Sequence, residues 1–286
     1  MSKTLNIEDL DRAVLRKLET LQSIFSDMGS ALIAYSGGVD STLLTKVAKD
    51  VLKSKAVAVT SESETYPLRE SRQAKELARQ LGIRHIIINT RELDNEEFSK
   101  NSPQRCYFCK KELFSRLLDL AKQHSLDYVV EGSNHDDRSD YRPGLKAIEE
   151  LGIRSPLKEA ELTKKEIRIL SKMFGLSSWN KPSFACLSSR FPYGTKITKD
   201  GLIKVDRAEG VLLKFGFSQL RVRIHGPIAR IEVPKEDISL FFKAGLSDRV
   251  VEEFKKIGFF YVTLDLAGYE TGSMNKLLKS EDKFGY

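Results

Sequence analysis

No apolar run in this 286-residue chain approaches the about 20 residues that span a bilayer, and the opening Met1-Ser2-Lys3-Thr4 lacks a secretory leader's apolar stretch. No helical membrane span is expected, and the protein is expected in the cytoplasm. Cysteine is scarce: three residues, an odd count that argues against a disulfide framework and for thiols kept reduced and used chemically. There is no internal repeat and no low-complexity segment. There is also no G-x-x-x-x-G-K-[ST] and no G-x-G-x-x-G, which removes the Walker loop and the dinucleotide turn from consideration. What remains is ordinary globular composition, 41% hydrophobic and 30% charged, in a length comfortable for two domains. The net charge of +7 favours anionic partners, but a lysine-rich solvated surface covers much of it. Charge alone does not separate a nucleotide from RNA.

Against these absences one stretch stands out. Ser36-Gly37-Gly38-Val39-Asp40-Ser41-Thr42 follows the apolar run Ala31-Leu32-Ile33-Ala34-Tyr35 and precedes the helix-like Leu43–Lys49. Two glycines open backbone conformations closed to other residues, and three hydroxyls and several main-chain N–H groups gather at the positive end of a helix dipole. Such a nest grips phosphate. A carboxylate inside it would repel that ligand unless a cation lay between, so Asp40 reads as a Mg²⁺ ligand on a nucleotide's phosphates. The seven residues resemble the S-G-G-x-D-S-T signature of the PP-loop ATP pyrophosphatases. That resemblance implies cleavage of ATP between its α and β phosphates, usually with adenylylation of a substrate.

Apolar residues at three- and four-residue intervals predict a helix over Ile7–Met28. Beyond the cradle come a strand at Ala56–Thr60, a helix from Arg69 to Leu81, a strand at Ile83–Asn89, a helix from Tyr107 to His124 and a strand at Asp127–Val130. Near-continuous apolar strands alternating with helices predict a parallel sheet covered on both faces, with ligands beyond the strands' carboxyl ends. The polar loop 131–144 opens at such an end, and its carboxylates, including Asp136 and Asp137, interleaved with Arg138 and Arg142, suit a metal–phosphate site. A short strand at Ile153-Arg154, a helix from Lys164 to Phe174 and the segment Leu176–Lys196 complete a first domain, 1–197.

Beyond Thr198 the pattern becomes a helix (Asp200–Phe215), strands at Leu220–Ile224 and Ile228–Val233, a helix (Ile238–Lys256) and a strand (Phe260–Leu266). The expected fold class is α/β, with a smaller C-terminal α+β domain at 198–286. Arg221 and Arg223 share one face of the sheet. Stacked arginines need anionic partners, either a bound phosphate or carboxylate, or Glu232 and neighbouring acids.

Cys106-x-x-Cys109 opens a helix, and Cys186 lies in Lys181-Pro182-Ser183-Phe184-Ala185-Cys186-Leu187-Ser188-Ser189-Arg190. Arg105 and the helix N-terminus favour the thiolate of Cys106, and Arg190 does the same for Cys186. Three soft ligands fall short of the four of structural zinc. On an iron–sulfur cluster they leave one iron open to an external ligand. A buried pair, a dithiol and half a zinc site remain alternatives for C-x-x-C alone.

Together S-G-G-V-D-S-T, R-C-Y-F-C-K, D-Y-R-P-G-L-K-A, W-N-K-P-S-F-A-C-L-S-S-R-F-P-Y-G-T, R-V-R-I-H and Y-V-T-L-D-L resemble the pyridinium-3,5-bisthiocarboxylic acid mononucleotide synthase family, LarE, over essentially the whole chain. The resemblance implies an ATP-dependent sulfurtransferase that adenylylates a carboxylate of pyridinium-3,5-biscarboxylic acid mononucleotide and converts it to thiocarboxylate. The product serves the nickel-pincer nucleotide cofactor of lactate racemase. It implies that Ser36, Gly37, Gly38, Asp40, Ser41 and Thr42 bind the ATP phosphates, with Asp40 on Mg²⁺. Cys106, Cys109 and Cys186 would hold a [4Fe–4S] cluster carrying sulfide from a sulfur donor, whereas one-cysteine members sacrifice their sulfur. Ser189, Arg190, Arg221 and Arg223 are substrate candidates, with Glu209 and Asp248 as weaker carry-overs, and the family assembles as trimers or hexamers. Two rival readings are a PP-loop tRNA thiolation enzyme and a non-catalytic nucleotide-binding assembly protein.

Overall fold

The computed structural model describes residues 12–139, 143–182, 184–270 and 272–273. They form two compact units. Described residues 12–63, 68–90 and 107–182 make the first, and 64–67, 91–106 and those from 184 onward make the second.

The first unit is a four-stranded, all-parallel sheet in the order β3-β2-β1-β4, with β1 at Ala31–Ala34, β2 at Ala56–Glu62, β3 at Arg84–Asn89 and β4 at Tyr128–Val130. The chain moves outward from β1 through β2 to β3, then returns to the other side of β1 for β4. The strand order therefore reverses at β1, where an open parallel sheet leaves a crevice at its carboxyl edge. Alternation divides the core: Ile33 and Ala58 face a layer containing Leu21, Phe25, Leu43, Leu44 and Leu170, while Leu32, Val57 and Val59 face Phe114, Leu117 and Ile148. The helices covering the sheet include α1 (Arg12–Met28), α2 (Val39–Leu52), α3 (Leu68–Leu81) and α5 (Arg105–Gln123). The expected start of α1 at Ile7 lies outside the described residues.

Three short helices have no counterpart in the sequence reading: α4 (Glu96–Ser99), α6 (Pro143–Glu150) and α7 (Pro156–Glu159). Each begins at a local device. The Asn95 side chain accepts from the Glu97 and Phe98 amides, and Pro143 and Pro156 occupy first positions where a missing N–H costs nothing. Helix α8 (Lys164–Met173) follows, closed at its start by a capping box of Thr163 with Glu166. The expected strand at Ile153-Arg154 is a single parallel bridge from Val130 to Arg154.

The second unit carries a three-stranded sheet, β5 (Arg221–His225), β6 (Ile228–Glu232) and β7 (Tyr261–Leu264), antiparallel between β5 and β6 and parallel between β6 and β7. Helices α9 (Lys199–Lys214) and α10 (Leu246–Ile257) accompany it, around Leu212, Phe217, Val222, Ile231 and Phe254. The expected single helix Ile238–Lys256 is two pieces, a 3₁₀ stretch at Lys235–Phe242 and then α10. Ala244 and Gly245 take left-handed angles, φ 50° and 65°, which ends one helix before the other starts. No helix among the described residues is long and apolar enough to cross a membrane.

Candidate active site

The cradle sits where the sheet puts it, between β1 and α2. Gly37 has φ +69°, and a Cβ there would come within 2.9 Å of the Cα and Cβ of Ala74, so the turn is closed to any side chain. The Ser36 and Ser41 hydroxyls lie 3.1 Å apart, and Ser41 Oγ donates to the Gly38 carbonyl at 3.2 Å. These bonds hold the loop in a fixed curve. Gly38 caps α2 with no side-chain hydrogen bond, so the helix N-terminus remains open to an external anion. Gly132, on the loop after β4, packs closely on the same turn: a Cβ there would lie 3.2 Å from the Ser41 nitrogen.

Asp40 occupies the first turn of α2. One oxygen, Oδ2, accepts from Lys164 Nζ at 2.5 Å, while Oδ1 is buried with no hydrogen-bond partner among the described residues. Burial pushes its carboxyl above the usual range, Lys164 pulls it back, and Asp137 adds to the rise. A buried acceptor with no donor is what a hard cation takes up, so the residue fits a magnesium ligand. Around it stand α8 and the segment before Ser183. Arg168 donates to the carbonyls of Trp179 and Lys181, and Lys181 Nζ reaches the Gly37 carbonyl at 3.3 Å and Glu70 at 2.8 Å. In the 131–144 loop, Asp136 accepts from the Lys164 amide and Asp137 from the Asn134 amide, so these carboxylates close the loop and anchor α8. The Arg138 side chain and Arg142 lie outside the described residues.

In the second unit Cys186 precedes a 3₁₀ turn, Leu187–Arg190. Arg190 is fully buried, bound bidentately by Glu209 at 2.7 and 3.0 Å, and donates through Nη1 to the carbonyls of Ala185 and Cys186 and to Ser189 Oγ. It therefore shapes the cysteine segment. Arg223 is paired bidentately with Glu232 and donates to the Ser189 carbonyl at 2.7 Å, while Arg230 also reaches Glu232. Arg221 donates to the Leu220 carbonyl and lies over the Tyr269 ring at 5.0 Å. Burial and neighbouring Arg190 hold its pKa below the usual arginine value. Of the alternatives for the arginine face, the acidic partners account for Arg223 and Arg230. Asp248 is exposed on the first turn of α10.

Cys106 and Cys109 lie one turn apart at the start of α5, and all three cysteines are partly exposed. Arg105 is buried beside Cys106 and Cys186. Its Nη1 donates to Asn101 Oδ1 and to the Ser188 carbonyl, and its guanidinium lies over the Tyr193 ring at 5.4 Å. Burial alone would lower its pKa, but the two cysteines and Tyr193 raise it above the usual value. Asn101, at a left-handed φ of 58°, donates to the carbonyls of Phe191, Pro192 and Thr195 and so fixes the loop after Cys186. Asn101 and Lys164 escape the sequence reading. One is an isolated polar residue in a loop, the other the first residue of a helix, and neither falls in a motif.

The asparagine synthase family model matches residues 25–117, which include the cradle. An uncharacterised protein of Synechocystis sp. is 47% identical over 262 residues, 92% of this chain and 98% of its own length. The pyridinium-3,5-bisthiocarboxylic acid mononucleotide synthase of Lactiplantibacillus plantarum is 41% identical over 263 residues, 92% of this chain and 95% of its own. A tRNA-specific 2-thiouridylase of Halothermothrix orenii is 26% identical over 54% of each chain. With similarity that runs through both units, the chain belongs to the pyridinium-3,5-bisthiocarboxylic acid mononucleotide synthase family and is an ATP-dependent sulfurtransferase of the PP-loop class.

Proposed function

We propose that this protein uses ATP to convert carboxylates of pyridinium-3,5-biscarboxylic acid mononucleotide to thiocarboxylates, a step in making the nickel-pincer nucleotide of lactate racemase. The observation that carries this reading is 41% identity to a synthase of that name across 92% of the chain. A substrate carboxylate oxygen attacks the α-phosphorus, the bond to the β-phosphate oxygen breaks, and pyrophosphate leaves. Sulfide then attacks the acyl carbon and AMP departs. Ser36, Gly37, Gly38, Ser41 and Thr42 hold the phosphates, and Asp40 would hold Mg²⁺, which when bound offsets their charge. The substrate candidates are Ser189, Arg190, Arg221, Arg223, Glu209 and Asp248. Arg190 and Arg223 are already bound by Glu209 and Glu232 and serve to position Ser189.

Sulfur handling is assigned to Cys106, Cys109 and Cys186, two of which adjoin the Arg105 guanidinium. A [4Fe–4S] cluster on the three thiolates would, when bound, supply an open iron for sulfide. Sulfide carried on such a cluster and sacrifice of one cysteine's sulfur are the two routes for the sulfur step. The exposed Phe242, Phe260, Tyr261 and Leu266 of the second unit support assembly into trimers or hexamers.

The test is turnover of anaerobically purified protein with ATP, Mg²⁺ and the biscarboxylate mononucleotide. AMP, pyrophosphate and a thiocarboxylate product are expected; ADP and orthophosphate would refute the reading. Iron content and intact mass after turnover separate the sulfur routes. About four irons per chain with unchanged mass favours the cluster, and a colourless protein that loses one sulfur favours a sacrificed cysteine. Tight tRNA binding with a steep salt dependence would move the substrate to RNA.

A further inference from the structure

The cradle contains a cation of its own. Lys164 Nζ lies 2.5 Å from Asp40 Oδ2, and both side chains are only partly exposed, at 30% and 23%. The lysine is held at its root. It is the first residue of α8, whose start is closed by the Thr163–Glu166 capping box, and its amide donates to Asp136 at 2.8 Å. One turn along, Arg168 ties α8 to the Trp179 and Lys181 carbonyls. The stem is therefore fixed while the ammonium reaches the phosphate nest. The other charges acting on Asp40 are Asp137 and Arg168.

A partly exposed ion pair contributes little to stability, yet this one stands where an entering polyphosphate meets the only carboxylate of the Ser36–Thr42 loop. We propose that Lys164 is the resident counter-ion of the cradle. It neutralises Asp40 while no magnesium is present, so that nucleotide docks without repulsion, and gives up that role once magnesium occupies the carboxylate. The inference rests on the reading of the cradle as an ATP phosphate site. It adds a positioning residue that sets how strongly nucleotide binding depends on metal.

Calorimetric titration of the full chain with ATP, in EDTA and in saturating Mg²⁺, tests it, with circular dichroism and melting as folding controls. Lys164→Met is expected to weaken ATP binding about tenfold or more in EDTA and by less than about threefold in Mg²⁺, which raises the linkage between metal and nucleotide. Adding Asp40→Asn to Lys164→Met is expected to restore most of the affinity lost in EDTA, because neither charge then remains. Asp40→Asn alone is expected to bind ATP in EDTA at least as tightly as the unaltered protein, which keeps the test open should the Lys164 variant misfold. Equal weakening of Lys164→Met in both buffers, or weaker metal-free binding by Asp40→Asn, would overturn the proposal. Failure of the unaltered protein to bind ATP in Mg²⁺ would instead remove the nucleotide reading beneath it.

Discussion

Glu209→Ala tests the buried arrangement that shapes the Cys186 segment. Arg190 is wholly inaccessible and Glu209 is 2% exposed, so the substitution strands a guanidinium with no carboxylate and no water to replace it. The lost contacts include two charge-assisted bonds to Arg190 and the acceptor for the Val222 amide at 3.1 Å. Breaking one side of a buried ion pair costs about 3–5 kcal/mol. With a urea slope of about 1.5 kcal/mol per molar, that loss lowers the unfolding midpoint by about 2–3 M. Arg190→Met combined with Glu209→Leu is expected to be less damaging than Glu209→Ala alone, since no charge stays behind. Urea denaturation followed by circular dichroism measures both. Alkylation of Cys186, followed by mass spectrometry, should accelerate in Glu209→Ala as the Arg190 bonds to the Ala185 and Cys186 carbonyls loosen. A loss under about 1 kcal/mol, or a double variant as unstable as the single, would refute the argument that the pair is buried and charged.

Gly37→Ala combines a left-handed backbone with a Cβ 2.9 Å from Ala74, and is expected to cost about 2–4 kcal/mol and to weaken ATP binding; denaturation and nucleotide titration check it. His85 shares its Nε2 with Thr60 Oγ1 at 2.8 Å, and burial, aided by Lys75, lowers its pKa below the ordinary 6.5. It stays neutral in the fold while the unfolded chain takes up a proton, so the stability it contributes is present above about pH 6.5 and lost as the pH falls below that. His85→Gln should flatten the stability profile between about pH 6.5 and 5, and an unchanged slope would remove His85 from the account.

The parallel sheet, the cradle and α8 are legible because each depends on local pattern: apolar runs of strand length, a glycine pair at a strand end, three- and four-residue spacing. The break at Ala244-Gly245 is not, because continuous amphipathic spacing masks a left-handed pair whose conformation only packing selects. Residue types show that Arg221 and Arg223 share a face, but not that Glu232 holds Arg223 while Glu209 holds Arg190, pairings 9 and 19 residues apart in sequence. Lys164 beside Asp40 spans 124 residues and depends on how α8 packs against α2. Long-range ion pairs leave no periodic mark, so the chemistry around the motif is less readable than the motif itself.

The second unit is threaded from three separate lengths of chain, and its bonds join the early ones to the late one. Leu187 N donates to the Thr65 carbonyl at 2.8 Å, Ile197 N to Ser99 at 2.8 Å and Gly194 N to Asn101 at 3.0 Å. During synthesis the first two lengths leave the ribosome well before residue 184 exists and must wait for their partners. The turn that bears Cys186 can take its final shape only after nearly two-thirds of the protein has been made, and closing such long loops is slow. A fragment starting at 184 would lack the carbonyls of Thr65, Ser99 and Asn101 however favourable its own helices and strands. The C-terminal unit cannot be obtained by cutting the chain once.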